Sequence, residues 1–291
     1  MKKLNIINQI KFFIGVKLFK KRKPFKFIIF DILFSFLILN KKQLPKFAAE
    51  YDSKGFVKIY PNIENEIKKL KTSLVLENPN LDKPYFNFKI NDDIKNTIQQ
   101  IIKILDKDYL LQLKKYYKAE ILPTYVMLRR NNYYKQVSLR DEAYSNNFHN
   151  DSYLSTHFKI FVNLQDISKQ HGPMKIVPKN KSKDFIVETN YISRMSYNEQ
   201  NDKFSYLNTG KFGECLLFDP TSCLHRAGVP EENYKRDFMT IYFVCVPNKD
   251  ELINNLKQTN IFEYENNNLL SFAKPRKLFD VFNLLLNFYR H

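Results

Sequence analysis

Over residues 158–164 the side chains alternate without a break. Phe158, Ile160, Val162 and Leu164 fall on one face, and Lys159, Phe161 and Asn163 on the other. That period of two predicts a strand with an apolar face on a core. Further strands are predicted at 124–129, 174–177, 215–218 and, longer, at 236–246, with a polar loop between the first of them and residue 145. Upstream the period changes. Asn91, Asp92 and Asp93 cap a pattern in which Ile94, Ile98, Ile101, Ile102 and Leu105 recur at three- and four-residue steps. This predicts a helix, continued through Leu110, Leu111 and Leu113 and ending before Pro123. Residues 63–70 form a short predicted helix inside a turn-rich approach from 48 to 84. A helical half followed by many short strands predicts an α+β fold: a jelly-roll barrel or sandwich with helices packed on one side.

The 291 residues suffice for one large domain with appendages. A formal charge of +17 suits nucleic acid, an anionic membrane or acidic substrates, and its placement narrows the choice. About a dozen basic residues precede residue 47, against the single acid Asp31. The positive field thus belongs to an appendage, and no recognised module interleaves it with aromatic residues, which disfavours nucleic acid. Residues 1–46 are read as a basic and apolar helical extension, 47–250 as the main domain and 251–291 as a helical C-terminal extension. The apolar run 27–39 spans about 13 residues, short of the ~20 that cross a bilayer, and no small-residue cleavage site follows it. The extension therefore either lies on an anionic membrane surface or packs its apolar face on the domain. Cys215, Cys223 and Cys245 lack any paired spacing, which predicts buried, unreactive thiols in a reducing, cytoplasmic compartment.

The chemistry-bearing residues are His149, Asp151, His225 and Arg236. On an extended segment the side chains of His149 and Asp151 share a face. A second imidazole from His225 would complete the two-histidine, one-carboxylate set that holds Fe(II) on one side and leaves positions open. Arg236, eleven residues beyond His225, supplies a permanently charged fork for a carboxylate.

These residues come in an order that resembles the phytanoyl-CoA dioxygenase family. The resemblance is carried by Asn147-Phe148-His149-Asn150-Asp151, by 159–167, by Gly172-Pro173-Met174-Lys175-Ile176-Val177-Pro178, and by 213–219 leading into Cys223-Leu224-His225-Arg226-Ala227-Gly228 and Arg236. It covers about residues 122–247. It implies a double-stranded β-helix that binds Fe(II) through His149, Asp151 and His225. It also implies that 2-oxoglutarate is held by its far carboxylate on Arg236, and that O2 is used for hydroxylation with release of succinate. Relatives that halogenate replace the carboxylate with a small residue; here Asp151 stays. The chain departs from the family pattern at Pro178-Lys179-Asn180-Lys181, and at Ala227, where many members carry a hydroxyl. The expected substrate is a small-molecule or lipid-linked metabolite. The competing reading is a jelly-roll binding or scaffold module whose chemistry has been retired.

Other residues near the motif carry two readings each. Lys159 either touches the cosubstrate or sits exposed on the barrel's outer face. Arg129 and Arg130 either reach a substrate anion or are solvated at a strand end. His157 and His171 are expected to be solvated or hydrogen-bonded outside the site, and Tyr125 to be core.

Overall fold

The computed structural model describes residues 29–30, 32–34, 44–79, 83–134, 147–151, 154, 156–182, 202–247, 253–254, 260–263 and 282–286. In chain order the helices include α1 (Lys46–Lys54), α2 (Glu64–Thr72), α3 (Asp92–Leu105), α4 (Leu111–Tyr117) and the one-turn α5 (Lys179–Ser182). The strands are β1 (Phe56–Ile59), β2 (Tyr85–Asn87), β3 (Glu120–Asn132), β4 (His157–Asn163), β5 (Lys175–Ile176), β6 (Tyr206–Leu207), β7 (Cys215–Phe218), β8 (His225–Arg226) and β9 (Lys235–Val246).

Six strands form a sheet in the order β1-β7-β4-β9-β3-β2, and three form a second in the order β6-β5-β8. Every pairing is antiparallel. His149 bridges to His225 and so lies at the free edge of the small sheet, beside β8. From β3 onward the chain passes to His149, back to β4, across to β5 and β6, back to β7, across to β8 and back to β9. This shuttling between two sheets is the winding of a double-stranded β-helix, with β1 and β2 added at the edges of the large sheet.

The alternation over 158–164 is explained by what lies on each side of β4. Phe158, Ile160 and Val162 enter a core with Ile67 and Leu70 of α2 and with Ile94, Ile98, Ile101 and Leu105 of α3. All nine are fully buried, and each such side chain contributes roughly 1.5–3 kcal/mol over its exposed state. Asn91 caps α3 as expected, its side chain accepting from the Ile94 amide at 2.9 Å. A π-helical turn (Asp106–Leu110) then joins α3 to α4, so that Leu110 and Leu113 return to the core while Leu111 faces out.

Three boundaries differ from expectation. Strand β3 starts at Glu120 rather than residue 124, because Pro123 sits at a register shift against β9, where a missing N–H breaks no ladder. Asn131 and Asn132, expected in the loop, extend β3 opposite Arg236 and Lys235. The turn-rich approach also holds α1, ended by Gly55 in the left-handed region (φ 79°), and β1, which pairs with β7.

Of the N-terminal extension, Phe30 and Phe34 are buried in the helix–sheet core, as are Leu284 and Leu285 from the C-terminal extension. Ile32, Leu33, Phe282 and Leu286 face outward. The basic cluster at 20–23 and most of both extensions lie outside the described residues. Among the described residues no helix is long and apolar enough to cross a membrane. The three cysteines are buried and unbridged, as their spacing suggested.

Candidate metal centre

The donor atoms of His149, Asp151 and His225 all lie within 4.8 Å of one another. Asp151 Oδ1 is 4.0 Å from His149 Nε2 and 3.8 Å from His225 Nε2. Two backbone hydrogen bonds, 3.0 and 2.8 Å, tie His149 to His225 across the small sheet. The two imidazoles therefore stand side by side, with ring centroids 4.5 Å apart. A turn fixes the third member: the Asp151 amide donates to the Pro220 carbonyl at 2.8 Å. That turn is built by Asp219, whose Oδ1 accepts from the Thr221 amide, the Thr221 hydroxyl and the Ser222 amide.

The tautomers follow from the partners. His149 Nδ1 lies 2.7 Å from the Asn147 carbonyl, and His225 Nδ1 lies 3.0 Å from that of Cys223. A carbonyl only accepts, so both Nδ1 atoms carry hydrogen, which leaves each Nε2 as the nitrogen that faces Asp151. Burial, and then the neighbouring His149, push His225 down to about 3, so its ring stays neutral at ordinary pH. Burial would raise Asp151, but the Lys159 ammonium, helped by His225 and His149, holds its carboxyl below the usual range. Two imidazole nitrogens and one ionised oxygen within 4.8 Å of one another fit a divalent metal of the Fe(II) type.

The triad opens into a cavity of about 400 Å³. Arg236 lines it from β9, buried, with its guanidinium donating to the Gly172 carbonyl and lying 5.1 Å over the Phe238 ring. Gly172 is itself fixed: its φ is 62°, and a Cβ there would meet the Val229 carbonyl carbon at 2.4 Å. Gly228, three residues after His225, abuts the same loop, where a Cβ would meet the Pro173 oxygen at 2.4 Å. Arg236 presents its charged fork to this cavity, where it suits a carboxylate, whereas the Lys159 ammonium is already engaged by Asp151.

Lys159 is not on an outer face. Both sides of β4 are covered, one by the helices and one by the cavity, so the lysine is buried and its Nζ donates to Asp151 Oδ2 at 2.6 Å. Arg129 and Arg130 part company. Arg130 is pinned away from the cavity by Asp237, at 2.6 and 2.7 Å, whereas Arg129 lines the cavity and stacks 4.3 Å over Tyr85. Tyr125 proves to be a cavity wall rather than core, next to Tyr242. His157 is fully buried beside Tyr242, not solvated, because β4 has no solvent side. His171 closes a turn with Ser168, outside the site. Ala227 lines the cavity, so the hydroxyl common in the resembled family is absent there.

Sequence reasoning passed over Met127, Asn131 and Tyr242, which line the cavity from β3 and β9. Asn131 and Met127 lie at two-residue steps from Arg129 and Tyr125, so strand alternation carried the signal once β3 was given its full length. The two carbonyl acceptors, at Asn147 and Cys223, leave no trace in a side-chain pattern.

No protein-family model matches the chain, and no curated protein matches it in sequence. Similar solved structures include EctD from S. alaskensis with 2-oxoglutarate and 5-hydroxyectoine (14% identity, TM-score 0.49, covering 82% of this chain and 86% of that one). HygX from Streptomyces hygroscopicus with nickel and 2-oxoglutarate bound is another (14% identity, TM-score 0.49, 69% of this chain and 87% of that one). So is the non-heme alpha-ketoglutarate-dependent epimerase SnoN from nogalamycin biosynthesis (14% identity, TM-score 0.47, 69% of this chain and 82% of that one).

Proposed function

We propose that this chain is an Fe(II)- and 2-oxoglutarate-dependent oxygenase that hydroxylates a small-molecule or lipid-linked metabolite. The observation that carries the reading is the pair of Nδ1–carbonyl hydrogen bonds, which turn both Nε2 atoms toward Asp151 Oδ1. A retired binding module has no use for two buried imidazoles and a carboxylate presented in this way.

His149, Asp151 and His225 hold the metal, and Arg236 holds the far carboxylate of 2-oxoglutarate through a charged fork. Once bound, iron and 2-oxoglutarate supply O2-dependent oxidation with release of succinate and CO2. Phe161, Phe238 and Met174 wall the cavity and limit water around the reacting centre. The presence of Asp151 in the ligand set argues against halogenation, and hydroxylation is the reading put forward. Arg129 lines the cavity and is the cation left to meet an anionic group on the substrate. The basic N-terminal residues 1–46 are proposed to bring the enzyme to anionic lipid. That predicts co-sedimentation with anionic vesicles, lost on their removal; equal recovery of both forms in the supernatant rejects the contact.

Anaerobic titration with Fe(II) and 2-oxoglutarate tests the reaction class. The charge-transfer absorption of the chelate is expected in the wild type and absent in His149→Ala and Asp151→Ala. A wild type that binds no better than these variants removes the proposal. Arg236→Lys should raise the 2-oxoglutarate Kd by about 10- to 100-fold, since a charged hydrogen bond contributes roughly 1.5–3 kcal/mol. An unchanged Kd takes Arg236 out of that role.

A further inference from the structure

Asp151 has two carboxylate oxygens with different duties. Oδ1 faces the two imidazole nitrogens at 3.8 and 4.0 Å, while Oδ2 accepts from Lys159 Nζ at 2.6 Å. Lys159 has little freedom to leave. It is buried in the middle of β4, with its ammonium 4.6 Å over the Tyr242 ring and 5.8 Å from that of Phe218. Its strand is paired on both sides, with β7 and β9. The lysine therefore rides on an interior strand of the large sheet, and the carboxylate it grips lies two residues beyond His149 at the edge of the small sheet.

We propose that Lys159 is a positioning residue that keeps Asp151 a one-oxygen ligand: by occupying Oδ2 it turns Oδ1 alone toward the metal position. The inference rests on the metal-site reading above. Its consequence is the number of open positions. A carboxylate free to turn binds a divalent metal through both oxygens, taking one position that cosubstrate or O2 would otherwise use. Lys159 acts through Asp151 and, on this proposal, not by contact with 2-oxoglutarate.

Mn(II) alone, without 2-oxoglutarate, is the probe. The readouts are its affinity and the number of exchangeable waters on it, counted from the broadening of its magnetic resonance lines in 17O-water. Lys159→Met is expected to fold, to bind Mn(II), and to carry one water fewer than wild type. Lys159→Gln, too short to reach Oδ2, should behave in the same way, and it decides alone if the Met variant does not fold. A water count equal to wild type in the folded variant overturns the proposal. That result together with a 2-oxoglutarate Kd at least tenfold weaker would make Lys159 a cosubstrate ligand instead. His149→Ala separates the two levels of the argument. If wild type binds Mn(II) no better than His149→Ala, the metal-site reading falls and takes this one with it. If wild type binds and His149→Ala does not, the water count judges Lys159 alone.

Discussion

The two sheets of this protein are built to opposite specifications. The large sheet has strands of up to 13 residues, and its far face is sealed by α2 and α3. The small sheet consists of two-residue strands, yet His225 lies within it and His149 at its edge. One sheet supplies fixed walls and three cations, Arg129, Lys159 and Arg236; the other supplies the two imidazoles of the candidate metal site. The lesson is that a ligand need not sit in a well-formed strand if its backbone is tied down locally. Here the ties are the mutual His149–His225 hydrogen bonds, the two Nδ1–carbonyl bonds and the Asp219 turn.

That contrast can be broken by substitution. Phe158→Ala, on the sealed face of β4, should cost about 3–5 kcal/mol, read as a fall in the urea midpoint. A loss under 1 kcal/mol would mean that the helix-backed core is not where stability resides. His225→Ala should act on the other account. With Fe(II) held about 100-fold above its Kd, wild type gains about 2.7 kcal/mol from the metal, and this variant should gain none. Metal-linked stabilisation that survives the substitution would divorce the small sheet from the metal.

Acid should separate the states next. His157 and His225 are pushed down to about 3 from an ordinary 6.5, chiefly by burial, and then by Lys159 and His149 respectively. Below pH 6.5 the unfolded chain takes up protons that the folded chain refuses. Stability is therefore full above that pH and is lost as it falls toward 3. Asp151 adds a loss at lower pH, since its folded carboxyl titrates below its ordinary 3.8. The stability of metal-free protein, read from urea unfolding between pH 7 and 4.5, should fall by up to about 1.4 kcal/mol per pH unit for each histidine. His157→Gln should flatten that slope; an unaltered slope would show that His157 titrates normally. The smallest effect is expected where Asp202 clips two strands of the small sheet, pairing with Arg226 of β8 at 2.8 Å and Lys175 of β5 at 3.1 Å. Asp202→Asn should cost about 0.5 kcal/mol, because half-exposed ion pairs contribute little. A loss several times larger would make those pairs a main support of the ligand sheet.

Legibility in the sequence followed strand length. β4, β9 and the capped helix α3 were readable because each runs long enough to be distinctive, and β7 because its four residues are an unbroken apolar run. β6 was not, since two residues cannot display a period, and β1 lay hidden in four residues of an apparently turn-rich stretch. The triad and Arg236 were readable because histidine, aspartate and arginine in that order are rare combinations. Lys159 was half readable: alternation told which residues share its face, but not that the face is covered. Pro123 misled, since a proline reads as a boundary and here marks a bulge inside a strand.

The meeting of Gly172 with Gly228 has a reach beyond its size. One belongs to the loop whose carbonyl steadies the guanidinium, the other to the chain leaving the second imidazole, and no atom fits between them. The Arg236 end and the triad end of the pocket are thus clasped at the main chain. Neither can drift without dragging the other, so the span between them is a property of the backbone, set before any guest arrives.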